Sequence, residues 1–161
     1  MQTSRLILNP SFLSLLLLFF IGSCTDRQVI VPPVMDAKTR GYCGSCHMAY
    51  QPSMLPAGSW DLMMNGLDDH FDEKITLKQD IKKHISNYHV SNAGDSGVAG
   101  KAGQLALNGL RPNKNPQRIT DTPYCKQEHH FMENRILDEW VGSAANCPVC
   151  HVGAWAGDYR I

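Results

Sequence analysis

The chain has 161 residues, and its 15 lysine and arginine side chains balance its 15 aspartate and glutamate side chains. Without excess basic charge or a basic patch, the sequence lacks the electrostatic footprint of a nucleic-acid-binding protein. The length is enough for one domain or two small lobes. Beyond its first 23 residues the aliphatic content is modest. The side chains alone therefore predict a thin core, which a large apolar prosthetic group could fill.

The N-terminus has the pattern of a secretory signal, because a single basic residue, Arg5, precedes an apolar run at positions 12–21. This run is too short for a membrane span of about 20 apolar residues. It ends in Ile-Gly-Ser-Cys, which resembles a bacterial lipobox. We therefore predict a signal peptide over residues 1–23 and lipidation of Cys24. The alternative is ordinary signal cleavage, in which Cys24 has no role.

Composition divides the rest of the chain into segments. Residues 24–40 contain two adjacent prolines, which disfavour helix, and we predict a lipid anchor and tether there. The predicted domain, 41–161, has a first lobe at 41–92 and a second lobe at 120–161. Between the lobes, residues 93–119 are rich in Gly, Asn, Lys and Pro. They predict a long loop with a short helical turn around the sequence Gln-Leu-Ala-Leu.

The first lobe begins its helical pattern after Ser59, a residue type that caps helices. Apolar residues then recur at helical spacing on one face. That face carries Trp60, Met63, Leu67, His70 and Phe71. His70 therefore lies on the apolar face of the predicted helix.

A second helix is predicted where Thr76 and Gln79 resemble a capping box. Its inner face carries Leu77, Ile81, Ile85 and Tyr88. His84 lies beside this face and His89 lies further round the helix. Both histidines are thus predicted to be off the apolar face.

The second lobe restarts helix at Thr122, a predicted cap, with Pro123 at the first helical position. One face of this helix carries Cys125, His129, Met132 and Ile136. The neighbouring His130 points elsewhere. A short last helix follows, and no region is rich in strand patterns, so the predicted fold class is all-α.

The sequence Cys-x-x-Cys-His occurs twice, as Cys43, Cys46 and His47 and again as Cys147, Cys150 and His151. This pentad is the attachment signature of c-type haem. Two thiols bond the vinyl groups on one porphyrin edge, and the histidine that follows can bind the iron. We therefore predict two covalently bound haem c groups, with short helices and long loops packed around them.

Two other interpretations use the same cysteines. Two Cys-x-x-Cys knuckles could form a four-cysteine zinc site, which leaves the histidines without a role. The cysteines could also form disulfides or a redox motif. Neither explains why both cysteine pairs are followed by histidine.

Each haem iron needs a sixth ligand or stays open, and the ligand sets its redox potential. His70 and His129 are the predicted distal ligands because each lies on an apolar face where a haem would pack. The less favoured candidates are histidines that lie off those faces and methionines, which at helical spacing are more often apolar core residues than ligands. They are His84, His89, His130, Met48, Met54, Met63, Met64 and Met132. Cys125, one turn before His129, is interpreted as a small buried side chain, with a thiolate ligand or redox-sensitive thiol as the alternative.

Three stretches together resemble the dihaem cytochrome c family typified in purple photosynthetic bacteria. They are CGSCHMAYQPSMLPAGSWDLMMNGLDDHF, RITDTPYCKQEHHFM and ANCPVCHVGAWAGDY. The resemblance implies two bis-histidine haems, with His70 and His129 matching the distal histidines of the family. Short separation along the chain favours pairing His47 with His70 and His151 with His129, and crossed pairing remains open. Cys125 and the lipobox depart from the family pattern.

The resemblance implies an electron carrier rather than an enzyme. Family members pass electrons between a membrane b-type cytochrome and a small soluble cytochrome c. With the predicted lipid, this chain is expected to be a monomer held on the periplasmic side of a membrane. The alternative function is a small dihaem oxidoreductase with one open or labile iron that acts on a small inorganic substrate. A structural or metal-sensing lipoprotein is the third possibility, if the pentads hold no haem.

Overall fold

The computed structural model describes residues 30–132 and 137–160, and of residues 137 and 138 it describes the backbone alone. The predicted signal peptide, Cys24 and Ile136 therefore lie outside the described residues. Within the described ranges, no helix is long and apolar enough to cross a membrane.

The described residues fold into short helices joined by turns, which confirms the predicted all-α class. The α-helices are α1 (Ala37–Cys43), α2 (Ala57–Asn65), α3 (Gln79–Ser91), α4 (Gly100–Ala106) and α5 (Pro123–Glu128). Single 3₁₀ turns occur at Pro52–Met54, Leu67–Asp69, Ile119–Asp121, Cys147–Val149 and Ala154–Ala156, and one π turn spans Leu137–Val141. In place of strands, the described chain has two isolated bridges, one of which joins Ile30 to Asp158.

The main core lies between α2 and α3. Met64, Leu67, Ile81 and Ile85 are buried together there. A second cluster, formed by Leu55, Trp60 and Ala93, lies beside the start of α2. Of the apolar faces predicted for these two segments, Trp60, Leu67, Ile81 and Ile85 are buried in the core, whereas Phe71 is exposed.

The helix starts differ in part from the sequence prediction. α2 begins after Pro56, so Ser59 lies inside the helix and is buried. α3 begins after Lys78 without a side-chain cap, so the capping box predicted at Thr76 is wrong. The cap at Thr122 is confirmed, because its side chain accepts a hydrogen bond from the Cys125 N–H. This cap fixes the start of the helix that leads to His129.

α1 begins inside the segment that was expected to be a tether. The Asp36 side chain caps this helix by accepting a hydrogen bond from Thr39 N at 2.6 Å. His84 Nε2 lies 2.9 Å from the same carboxylate oxygen. These bonds lower the pKa of Asp36 to about 2, with the Thr39 backbone N–H as the largest cause. Asp36 thus joins the start of α1 to α3.

The buried face of α3 is rotated from the predicted one. His89 is 3% exposed and its ring centre lies 4.2 Å from that of Trp60, whereas Tyr88 is half-buried. His89 Nδ1 donates a hydrogen bond to Ile85 O at 3.0 Å. Burial lowers the pKa of His89 to about 4. His89 is therefore a neutral core residue, contrary to its predicted position off the apolar face.

This burial predicts a loss of stability in mild acid. Between pH 6.5, the ordinary pKa of histidine, and about 4, the unfolded chain protonates His89 while the folded chain does not. Folding stability should therefore fall as the pH falls through this window, by on the order of 3 kcal/mol. His89→Phe keeps an aromatic ring against Trp60 and should remove this dependence in chemical denaturation at pH 7, 5.5 and 4. His130→Gln, at an exposed histidine, is the control, and equal pH slopes in His89→Phe and the wild type would contradict the prediction.

Candidate functional site

The first pentad begins at the C-terminal end of α1. Cys43 is the last residue of this helix, and its side chain packs against the core cluster of α2 and α3. Gly44 then ends the helix, and a Cβ there would lie 2.5 Å from Arg40 O, so the turn requires glycine. Burial raises the pKa of the Cys43 thiol to about 11, while Cys46 is exposed. One thiol therefore faces the core and the other faces outward.

His70 reaches the first pentad from a tight turn and not from a helix. α2 ends at Asn65, and the chain passes through the 3₁₀ turn Leu67–Asp69 before His70. His70 N then donates to Glu73 O at 2.7 Å, across a reversal in which Phe71 and Asp72 have φ angles of 56° and 73°. Positive φ is uncommon outside glycine and costs free energy. The chain thus maintains a strained turn that presents His70.

The first pair of imidazole rings is formed by His47 and His70. Their ring centres lie 6.2 Å apart and their planes differ by 20°. His47 Nδ1 lies 2.7 Å from Met48 O. Burial, followed by the charge of His47, lowers the pKa of His70. The neutral form of imidazole is the one that binds a metal.

The second pentad lies in a 3₁₀ turn near the C-terminus. Cys147 begins this turn, and His151 N donates to Cys147 O at 2.8 Å. Burial raises the pKa of the Cys147 thiol, while Cys150 is exposed. As in the first pentad, one thiol faces inward and one outward.

The second pair of rings is formed by His129 and His151. Their centres lie 6.0 Å apart, with an angle of 87° between their planes. His129 is the residue that ends α5, and its Nδ1 donates to Cys125 O at 2.8 Å. This bond holds the proton on Nδ1 and leaves Nε2 as the nitrogen that can bind a metal. His151 Nδ1 is buried without a hydrogen-bond partner in the described structure.

These separations fit a metal bound between each pair. A metal–imidazole bond is about 2 Å long, and the ring centre lies roughly 1 Å behind the nitrogen. Two imidazoles that share one metal therefore have ring centres about 6 Å apart. The structure brings His47 to His70 and His129 to His151, so each pentad histidine meets one of the two predicted distal histidines.

The other histidines have structural contacts elsewhere. His84 bonds to Asp36, and His89 packs on Trp60 in the core. His130 is exposed, and its Nδ1 lies 2.6 Å from Gln127 O. Their contacts give all three a role in the fold or at its surface. Met48 and Met64 are buried core residues.

Cys125 lies beside the second pair. Its Sγ is 3.6 Å from His129 Nδ1, and the side chain is half-buried. Burial is the main reason that its pKa is raised to about 11, and the nearby Cys147 adds to the effect. At neutral pH Cys125 is therefore a protonated thiol, which argues against its alternative interpretation as a thiolate ligand.

The structure disagrees with the zinc and disulfide interpretations. In the parts of the chain that the structure describes, no group of three or more His, Cys, Asp or Glu side chains converges to hold a metal ion. Cys43, Cys46, Cys125, Cys147 and Cys150 are all free. The pentad thiols are thus unpaired, as covalent haem attachment requires.

The second half of the domain exposes apolar side chains where a haem would cover them. Among the described residues beyond 106, Ala154 is the one buried apolar side chain. Five large apolar residues near the second pentad are each more than half exposed: Phe131, Trp140, Val149, Val152 and Trp155. Such a concentration of exposed apolar surface marks a binding site. The residues present therefore fit a large apolar prosthetic group.

Two tyrosines beside the pentads were missed by sequence reasoning. The Tyr50 ring lies 5.2 Å from the His47 ring, and the Tyr159 ring lies 5.6 Å from the His151 ring. Neither tyrosine belongs to a periodic pattern or a motif. Their positions follow from tertiary contacts, so the local sequence carries no signal for them.

Comparison with known proteins gives one family. The family described as dihaem cytochrome c matches residues 39–159. Two solved structures from Rhodobacter sphaeroides, a diheme cytochrome c and a purified DHC, are 38% and 35% identical, with TM-scores of 0.72 and 0.64. They cover 79% and 78% of this chain and 98% of their own chains. The diheme cytochrome type c of Shewanella baltica is 28% identical, with a TM-score of 0.60, and covers 75% of this chain and 84% of its own. Among curated protein sequences, none matches.

The paired rings predict the effect of removing either distal histidine. His70→Ala and His129→Ala should each convert one of two haems from low-spin to high-spin, because one iron loses an axial ligand. Optical spectra of the purified oxidised protein measure this change, and added imidazole should restore the low-spin spectrum. The opened iron should also take up cyanide, which the wild type should not.

His84→Ala and His130→Ala are the matched controls and should leave both haems low-spin. A His70→Ala or His129→Ala protein that keeps two low-spin haems would show that another side chain is the ligand. Cyanide uptake by the wild type would instead indicate an open iron and favour the oxidoreductase.

Proposed function

The chain belongs to the dihaem cytochrome c family, and on this premise we propose that it shuttles electrons on the periplasmic side of a membrane. Its partners in this proposal are a membrane b-type cytochrome and a small soluble cytochrome c. Family membership gives the chain two covalently bound haem c groups and an electron-transfer role. The proposal adds the location, the lipid anchor and the partners.

The main support for electron transfer is that each pentad histidine lies with its ring centre about 6 Å from that of a second histidine. His47 with His70, and His129 with His151, would each hold one iron between two imidazoles, and neither site would then leave a position for a substrate. When bound, each haem supplies a one-electron iron couple. The bond from His129 Nδ1–H to Cys125 O would make Nε2 a stronger electron-pair donor to a bound iron. Ligation by two histidines favours a lower reduction potential than ligation by methionine.

The acidic surface around His70 favours a partner protein with a basic docking surface. Exposed acidic side chains flank His70 on both sides: Asp68, Asp69, Asp72 and Glu73. The Arg118 Cζ lies 4.1 Å from the centre of the Phe71 ring, so this side chain covers the exposed ring of the turn. Haem propionates would add further negative charge to the protein. Complementary charge steers a brief redox encounter, so the soluble partner should be basic around its own haem edge.

This charge predicts a salt-dependent reaction with a basic soluble cytochrome c. Asp68→Asn/Asp69→Asn/Asp72→Asn should lower the bimolecular electron-transfer rate at low ionic strength by about tenfold, since it removes the steering field. Stopped-flow mixing of the reduced protein with the oxidised partner measures the rate. Asp61→Asn, at an exposed acidic residue of α2, is the control. A wild-type rate that is flat from low to high salt would contradict the proposal.

Lipidation of Cys24 predicts where the protein is found. In a bacterium with a lipoprotein pathway, the wild-type chain should carry a lipid at its processed N-terminus and sediment with membranes. Cys24→Ser should lose both properties and keep both haems, because Cys24 is outside the pentads. Mass spectrometry of the mature N-terminus and cell fractionation measure the two effects. An unlipidated N-terminus in the wild type would remove the anchor from the proposal.

A further inference from the structure

Two consecutive residues of the first haem segment contact both sides of the second pentad. Tyr50 OH donates to Ala145 O at 2.6 Å, two residues before Cys147. Gln51 Nε2 donates to Ala154 O at 2.7 Å, three residues after His151. These bonds join positions that are 95 and 103 residues apart in the chain. The two attachment segments are therefore held directly against each other.

The bond from Tyr50 ends on a carbonyl that also organises the second pentad. Ala145 O accepts a hydrogen bond from Cys147 N at 2.9 Å as well as the bond from Tyr50. On its other side, the Tyr50 ring stacks on His47 with an angle of 28° between the planes. A continuous set of contacts thus runs from the axial histidine of the first site to a cysteine of the second.

A second set of contacts runs through Gln51 and Tyr159. Tyr159 OH donates to Gln51 Oε1 at 2.5 Å, and its ring meets the His151 ring edge-on. Gln51 is fully buried, and its side-chain oxygen and nitrogen both bond to the C-terminal segment. A buried amide with both ends satisfied fixes geometry, since moving either segment would leave a polar group without a partner.

We propose that Tyr50, Gln51 and Tyr159 are positioning residues that hold the two haem sites in one fixed arrangement and allow direct electron exchange between them. With haem bound at both sites, one electron would leave one iron and enter the other, so that one iron would be oxidised as the other is reduced. No bond is made or broken and no proton moves. The two tyrosines act through their hydroxyl groups, which donate to Ala145 O and Gln51 Oε1. This inference rests on the electron-transfer role of the chain and not on the identity of its partners.

The double variant Tyr50→Phe/Tyr159→Phe tests the proposal in the haem-loaded protein. It keeps both rings beside the histidines and removes the two hydroxyl donors. In the half-reduced protein, each haem methyl resonance exchanges between its oxidised and reduced positions, and the exchange rate reports electron transfer within the chain. We expect this rate to fall by about tenfold or more, with both haems low-spin and each midpoint potential little changed. The measurement is repeated at a lower protein concentration, because exchange within one molecule keeps its rate on dilution and exchange between molecules slows.

Two further variants keep the test decisive. Tyr88→Phe removes a hydroxyl that accepts a bond from Met35 N within the first half, and it should leave the exchange rate unchanged. Gln51→Met removes both amide bonds at similar side-chain length and should slow exchange as the double variant does. Wild-type exchange rates in both the double variant and Gln51→Met, with two haems retained, would overturn the proposal. The measurement needs no partner protein, so a failed partner assay would leave its result intact.

Discussion

The fold depends on one geometric requirement, which is met twice: two imidazole rings from separate segments must lie with their centres about 6 Å apart. In each pair the pentad supplies one ring from a short turn, and a more distant segment supplies the other. Long helices are not needed for this task. Two of the short helices end where a cysteine or a histidine is presented, as α1 ends at Cys43 and α5 ends just before His129.

The two halves of the domain meet the requirement with different amounts of protein core. The first half packs Met64, Leu67, Ile81 and Ile85 behind its pair. In the second half the described apolar side chains are mostly exposed around the pentad, so the prosthetic group itself must provide the apolar centre there. Covalent attachment suits such an arrangement, because a half with so little core of its own depends on a cofactor that cannot dissociate.

The sequence predicted the chemistry of the sites better than their local structure. The pentads are contiguous motifs, so spacing alone identified them, and hydrophobic periodicity selected His70 and His129. Yet His70 lies in a strained turn beyond the end of α2, and His89 is buried although it was placed off the apolar face. The contacts of Tyr50, Gln51 and Tyr159 could not be predicted, because hydrogen bonds between residues about 100 positions apart leave no periodic trace.

The angles between the paired rings would make the two sites electronically unequal once haem is bound. The first pair is nearly parallel, at 20°, and the second is nearly perpendicular, at 87°. Parallel imidazoles donate into the same iron d orbital and separate its energy from that of its neighbour, whereas perpendicular imidazoles treat the two orbitals alike. With haem bound, identical ligand sets would thus give two irons with different magnetic anisotropy.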